Sequence, residues 1–143
     1  MPNRERTSRK ALAVLLAAAV TATGKTGYVD ASEVDALSFI IAGGTTGADG
    51  SNTLTISLEH ADATPASAAS YTAVPDTQVR GTAVIDDDDQ VHQIAYVGNK
   101  RYVRVVYTEA GVISGAVSIV AVGENLARGD YPEGTVLTTG AVS

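Results

Sequence analysis

The sequence predicts an all-β protein: a single antiparallel β-sandwich with extended N- and C-terminal arms. Three observations carry that prediction. Apolar residues make up 45% of the 143, yet the chain has one Phe, no Trp and one Met. Val, Ala, Thr and Gly dominate instead, which suits short strands and turns rather than helical bundles. Residues 53–60, "TLTISLEH", alternate strictly, with Leu54, Ile56 and Leu58 on one side and Thr55, Ser57 and Glu59 on the other, the period of a half-buried strand. Finally, short apolar runs recur between turn signals at intervals of about 8 to 12 residues, the spacing of a sandwich.

The elements follow in order. Residues 11–23 are apolar and undecided between strand and helix, since Ala and Leu favour helix and the Val-Thr-Ala-Thr ending favours strand. They follow a basic start and resemble an export signal with a cleavage point after Ala22. They fall short of the roughly 20 apolar residues that cross a bilayer, so no membrane is expected. We read them as part of the fold or as an arm packed on a neighbour. "ALSFIIAGG" (36–44) is a short apolar run closed by glycines that reads as a strand buried on both faces. Residues 61–82 form a long Ala/Ser/Thr/Pro connection with one short strand near 70–74, and Pro65 and Pro75 keep it out of a sheet centre. "VHQIAYV" (91–97) and "RYVRVVYT" (101–108) read as two strands of a hairpin closed by Gly98-Asn99-Lys100. "AVSIVAVG" (116–123) is a last apolar strand, followed by an extended tail of low core content. The division is 1–30 as N-terminal arm or first strand, 31–123 as the sandwich core and 124–143 as the tail, one domain overall. Among sandwiches the jelly roll leads; the cysteine and tryptophan of an immunoglobulin core are absent.

Charge narrows the function classes. The first ten residues carry four basic groups against one acidic, whereas the rest carry six basic against fifteen acidic. So acidic a body argues against direct binding to nucleic acid. With no cysteine there is no disulfide framework and no thiolate chemistry.

Chemical motifs are weak. Residues 19–26 fit a relaxed phosphate loop, but its first glycine is missing and no helix pattern follows Thr26. Asp86, Asp87, Asp88 and Asp89 offer oxygen ligands, yet consecutive strand-adjacent carboxylates diverge, so a solvated acidic turn is expected. His60 and His92, the only histidines, lack a third ligand and read as exposed strand residues. No nucleophile elbow surrounds any serine. The expectation is a protein that is not an enzyme and carries no cofactor or metal. Tyr102 and Arg104 share one strand face, flanked by Lys100 and Arg101. Tyr and Arg dominate contact hot spots, so these four are the candidate protein-contact residues.

Leu58-Glu59-His60-Ala61-Asp62, then "YVGNKRYVRV" at 96–105, then the apolar strand at 116–122 together resemble small virion structural proteins of tailed bacteriophages, of the capsid cement or decoration type. The resemblance spans roughly residues 36–123, and its most specific part is 96–105. It implies a jelly roll that forms a homodimer on the capsid exterior, binds the major capsid protein and stabilises the head against the pressure of packaged DNA. Two other readings stay open: a different virion component, such as a head-fibre base or tail protein, and a secreted bacterial sandwich that binds carbohydrate or a surface partner.

Overall fold

The computed structural model describes residues 10–124 and 136–143. Among them the chain forms β1 Lys10–Val20, β2 Gly24–Asp30, β3 Ala36–Gly43, β4 Thr53–Ala61, β5 Thr72–Ala73, β6 Val79–Arg80, β7 Ala83–Ile85, β8 Val91–Tyr96, β9 Tyr102–Ala110, β10 Gly115–Glu124 and β11 Thr139–Gly140. Among the described residues, helical structure is confined to single 3-10 turns at Ala31–Glu33, Ala68–Ser70 and Asp76–Gln78. The strands make two antiparallel sheets that pack face to face. The first runs β1-β10-β3-β8-β6, and the second runs β11-β2-β9-β4-β5, with β7 also paired to β4.

The pairing is nested. β1 pairs with β10, β2 with β9, β3 with β8 and β4 with β7. The chain is thus one long antiparallel hairpin, and wrapping it brings β10 beside β3 and β9 beside β4. The inner faces hold aliphatic side chains at alternate positions, as the period of two requires. Phe39, the only phenylalanine, is fully buried on β3 beside Ile41. Ile119 of β10 faces the same interior, and Leu54 of β4 with Val103 and Val105 of β9 close it from the second sheet.

Several expectations change here. Residues 10–20 are a strand, and Ala11, Ala13 and Val20 belong to the core. The tail also contributes: Leu137 is buried, and β11 extends the second sheet beyond β2; the part of the tail at 125–135 lies outside the described residues.

The hairpin at 98–100 is corrected to an arch between sheets. β8 already has β3 and β6 on its two edges, and β9 already has β2 and β4, so neither has an edge left for the other. Val97 N–H goes to the carbonyl of Gln78 at 2.9 Å, which extends the β6 pairing instead of starting a turn. The Tyr96 hydroxyl then accepts the Lys100 N–H at 2.9 Å and staples the arch from inside.

Residues 36–44 are also corrected. They are buried on one face only; along β3 the outward residues Ala36, Ser38, Ile40 and Ala42 are exposed or half-buried.

Phe39 is fully buried in the core between the sheets. Phe39→Ala is expected to cost about 3–5 kcal/mol, read as a drop in the urea midpoint at unchanged slope.

Candidate contact surfaces

Two surfaces emerge, one from the predicted contact residues and one that the sequence reading missed. The first lies on the outside of the second sheet. Strand alternation turns Val103 and Val105 inward and leaves Tyr102 and Arg104 facing out. Facing out is not the same as being exposed. Arg104 is only 4% exposed, which corrects its expected place on an open contact face. Its guanidinium lies over the Tyr71 ring at 4.3 Å and bonds the carboxylate of Glu59, its cross-strand partner, with Nε at 2.7 Å and Nη2 at 2.6 Å. Tyr71 comes from the 61–71 connection, which folds back over the sheet. Its hydroxyl donates to the Pro65 carbonyl at 2.7 Å, and the chain end ties down the same connection through Ser143 N–H to the Ala66 carbonyl at 2.9 Å. Lys25 completes the cluster by donating to the second oxygen of Glu59 at 2.9 Å.

The other three predicted residues land nearby. Tyr102 is half-buried, edge-on to Tyr28 at 5.3 Å, with the Arg101 guanidinium 5.0 Å from its ring. Arg101 clamps Asp30 through Nη2 at 2.9 Å and Nε at 3.2 Å to each oxygen. Lys100 reaches Asp62 only at 3.9 Å. Lys100 and Arg101 line a cleft of about 270 Å³ between the arch and residues 31–37. The four therefore do not form one hot spot: Arg104 braces the sheet, Arg101 braces the 3-10 turn that Asp30 caps, and Lys100 and Tyr102 stay partly accessible.

Electrostatics agree with a bracing role. Burial pushes the Glu59 carboxyl up, but hydrogen bonds from Lys25 and Arg104, and their charge, outweigh it and hold the group below its ordinary value. Asp30 behaves alike: burial raises it, and Arg101 with Ser32 brings it down. Burial pushes the Tyr71 phenol up to about 12 against the opposing charge of Arg104.

His60 is another correction, being buried rather than exposed. Its Nδ1 is 2.9 Å from the Tyr96 hydroxyl. The same oxygen accepts the Lys100 N–H and lies 3.5 Å from the Lys100 carbonyl, so the tautomer of His60 sets the direction of the bond to Nδ1. Burial, reinforced by the Lys100 charge, holds the His60 pKa below 6.5, with Asp62 opposing. Among the described residues no three His, Cys, Asp or Glu side chains gather to hold a metal ion. The aspartate run has a structural task instead. Asp88 Oδ1 accepts from Thr46 N–H at 2.7 Å and Gly47 N–H at 2.9 Å, and so fastens the 44–50 loop.

The second surface is the outer face of the first sheet. The register aligns Leu12, Val122, Ser38 and Ala95 across four strands, then Val14, Val120, Ile40 and Gln93, then Ala17, Ser118, Ala42 and Val91. Within these four strands the rows carry no charged side chain, but β6 sets Arg80 beside Ala95 at the end of the first row, and Glu124 stands beside Ala36 one row beyond it. Leu12 is 49% exposed, Val14 64% and Val91 67%. Val136, bridged to Leu12, carries the first row outward. The sequence carries a signal for it in the apolar runs at 36–44 and 116–123, the first of which reads as a strand covered on both faces.

No family model, curated protein or solved structure matches this chain.

Removing the Glu59 charge strands Arg104 under Tyr71. Glu59→Gln is expected to destabilise by roughly 2 kcal/mol, less than the cost for a fully buried pair because Glu59 keeps some contact with water; urea unfolding measures it. A depressed histidine pKa means that the unfolded chain binds the extra proton first, so stability is intact above about pH 6.5 and falls as pH drops below it. Asp30 and Glu59 lose their contributions only below their ordinary values of 3.8 and 4.5. Unfolding between pH 7.5 and 5 should therefore show a loss in the native chain that His60→Gln abolishes.

Proposed function

We propose that this chain is a capsid cement protein of a tailed bacteriophage, a non-catalytic sandwich that sits on the capsid exterior and ties neighbouring major capsid subunits together. The observation that carries the reading is the aliphatic middle of the first sheet's outer face, around Leu12, Val14, Ile40 and Val91. A folded chain that leaves several strand-widths of aliphatic surface open to water has a partner to cover it, for such patches mark contact sites. The rest of the structure is consistent with a passive part. Its well-placed ionisable groups brace loops: Glu59 holds Arg104 and Lys25, Asp30 holds Arg101, and Asp88 holds the 44–50 loop. The resemblance at 58–62, 96–105 and 116–122 supplies the phage context, and these segments fall on β4, the arch with β9, and β10.

The nested pairing supports the jelly-roll reading, since folding one long antiparallel hairpin across two sheets generates two Greek keys. The use of Ala11, Ala13 and Val20 in the core favours a protein that works with this segment in place, as opposed to the export reading. Occupancy on a shell multiplies weak contacts, so a modest interface repeated over a lattice suffices for the task.

Purified particles are expected to carry the chain in stoichiometric amount, and capsids assembled without it should release DNA at a lower temperature. Particles unchanged in composition and stability by its removal would contradict the proposal.

A further inference from the structure

We propose that the seam along one side of the sandwich is a binding pocket for a small aliphatic ammonium ion, a site separate from the contact face of the first sheet. The pocket exists because the edge of β4 that faces away from β9 is covered in two pieces. β7 pairs with residues 54–56, and β5 pairs with residues 59 and 60. Between those pieces the chain leaves the second sheet, pairs with β8 as β6, and returns. Residues 74–82 thus form a strap across the seam. Val74 N–H ties it to the Leu58 carbonyl at 3.0 Å, and Val97 N–H ties it through the Gln78 carbonyl at 2.9 Å. The strap passes close to β8 at Gly81, where φ is +87° and a Cβ would stand 2.9 Å from the Gln93 carbonyl oxygen; only glycine fits without strain.

The space bounded by the strap measures about 480 Å³, within the usual range for small-molecule sites. Its polarity changes with depth. Ile56, Leu58, Val74, Ala83 and Ile94 are buried and make an aliphatic floor. Thr55, Ser57, Thr82 and Asp76 stand exposed around the mouth. That gradient suits a molecule with an apolar body and one polar end.

Charge names the polar end. Asp76 is the one charged residue lining the pocket, and among the described residues no hydrogen bond or ion pair engages its carboxylate. The strap's cation, Arg80, donates instead to the carbonyls of Thr77 and Val79 at 3.0 and 3.4 Å. In the same 3-10 turn as Asp76, the buried Gln78 Oε1 is a further acceptor without a hydrogen-bond partner. An anion would be repelled at this mouth. An ammonium brings donors and the complementary charge, and the hydroxyls of Ser57 and Thr82 can accept from it as well.

NMR titration of the full chain with hexylamine, hexanol and hexanoate at neutral pH tests this. The methyl signals of Ile56, Leu58 and Ile94 are expected to shift, with hexylamine bound most tightly and hexanoate least. Asp76→Asn should weaken hexylamine about threefold, the size of an exposed ion pair, and leave hexanol unchanged. Salt at about 1 M should remove most of the advantage of hexylamine over hexanol. Asp89→Asn, the same loss of charge away from the pocket, should affect none of the three probes. Ala83→Leu, which fills the floor, should abolish binding; should that variant fail to fold, Thr82→Trp at the exposed mouth should do the same. Hexanoate binding as tightly as hexylamine, an equal loss from Asp89→Asn, or methyl shifts confined to Leu12 and Val14 would each overturn the inference. So would pocket methyl signals that no probe moves. Any of these failures leaves the cement reading standing, since the pocket shares no residue with the rows on the first sheet's outer face.

Discussion

Packing of β3 and β10 against β4 and β9 is the constraint on which the rest of the molecule depends. These are the strands that wrapping the long hairpin brings side by side, and each lies inside its sheet with neighbours on both edges. Their inner residues, Phe39, Ile41 and Ile119 against Leu58, Val103 and Val105, are nearly or fully buried. Once those edges are filled, β8 and β9 have no freedom to pair with each other, and the connection between them is forced to cross from one sheet to the other. The arch, its Tyr96 staple and the buried His60 follow from that exclusion. So does the position of Lys100 and Arg101, which stand at the sandwich end beside Asp30 and Asp62.

The same packing decides what each outer face has to do. Over the second sheet the 61–71 connection and the chain end fold back, and the groups beneath them are polar and aromatic: Glu59, Arg104 and Tyr71. Their hydrogen bonds and ring contact are mutually satisfied, so the cover is supplied from within the chain. On the outside of the first sheet the register across β1, β10, β3 and β8 places aliphatic residues with Ser38, Ser118 and Gln93, and charge stands at the margins in Arg80 and Glu124. Buried aliphatic surface is worth about 25 cal/mol per Å², and a protein with one phenylalanine and many alanines has little interior volume from which to draw stability. An outer face that is covered in an assembly adds to that core without enlarging the chain.

Much of the fold was legible. Strict alternation in 53–60 identified β4, and its three inward residues are those the period of two assigns. The all-β class followed from composition and turn spacing, and the prolines correctly kept 61–82 out of the sheet centre. The errors share one cause, that sequence shows which faces are apolar but not which partner covers them. Gly98-Asn99-Lys100 has the chemistry of a tight turn, yet whether it joins strands within a sheet or between sheets depends on edges taken by distant residues such as Val79 and Gln78. Arg104 was placed correctly on the outward face, but its burial depends on Tyr71, thirty-three positions away, whose return over the sheet has no local signal. The apolar run at 36–44 carries information for the second surface, but continuous hydrophobicity is the ordinary signature of a strand with two covered faces, and the sequence does not say that one of them stays open.

The account depends most on the wrapped pairing, since the arch, the polar cover and the open face are all its consequences. Backbone proton contacts measured by NMR on the full chain test it directly. Cross-strand contacts are predicted for Ile41 with Ile119, Phe39 with Ile94 and Leu58 with Val105. A ladder of contacts joining residues 91–96 directly to residues 102–107 would contradict it, because those two strands would then share one sheet and neither outer face would exist as described.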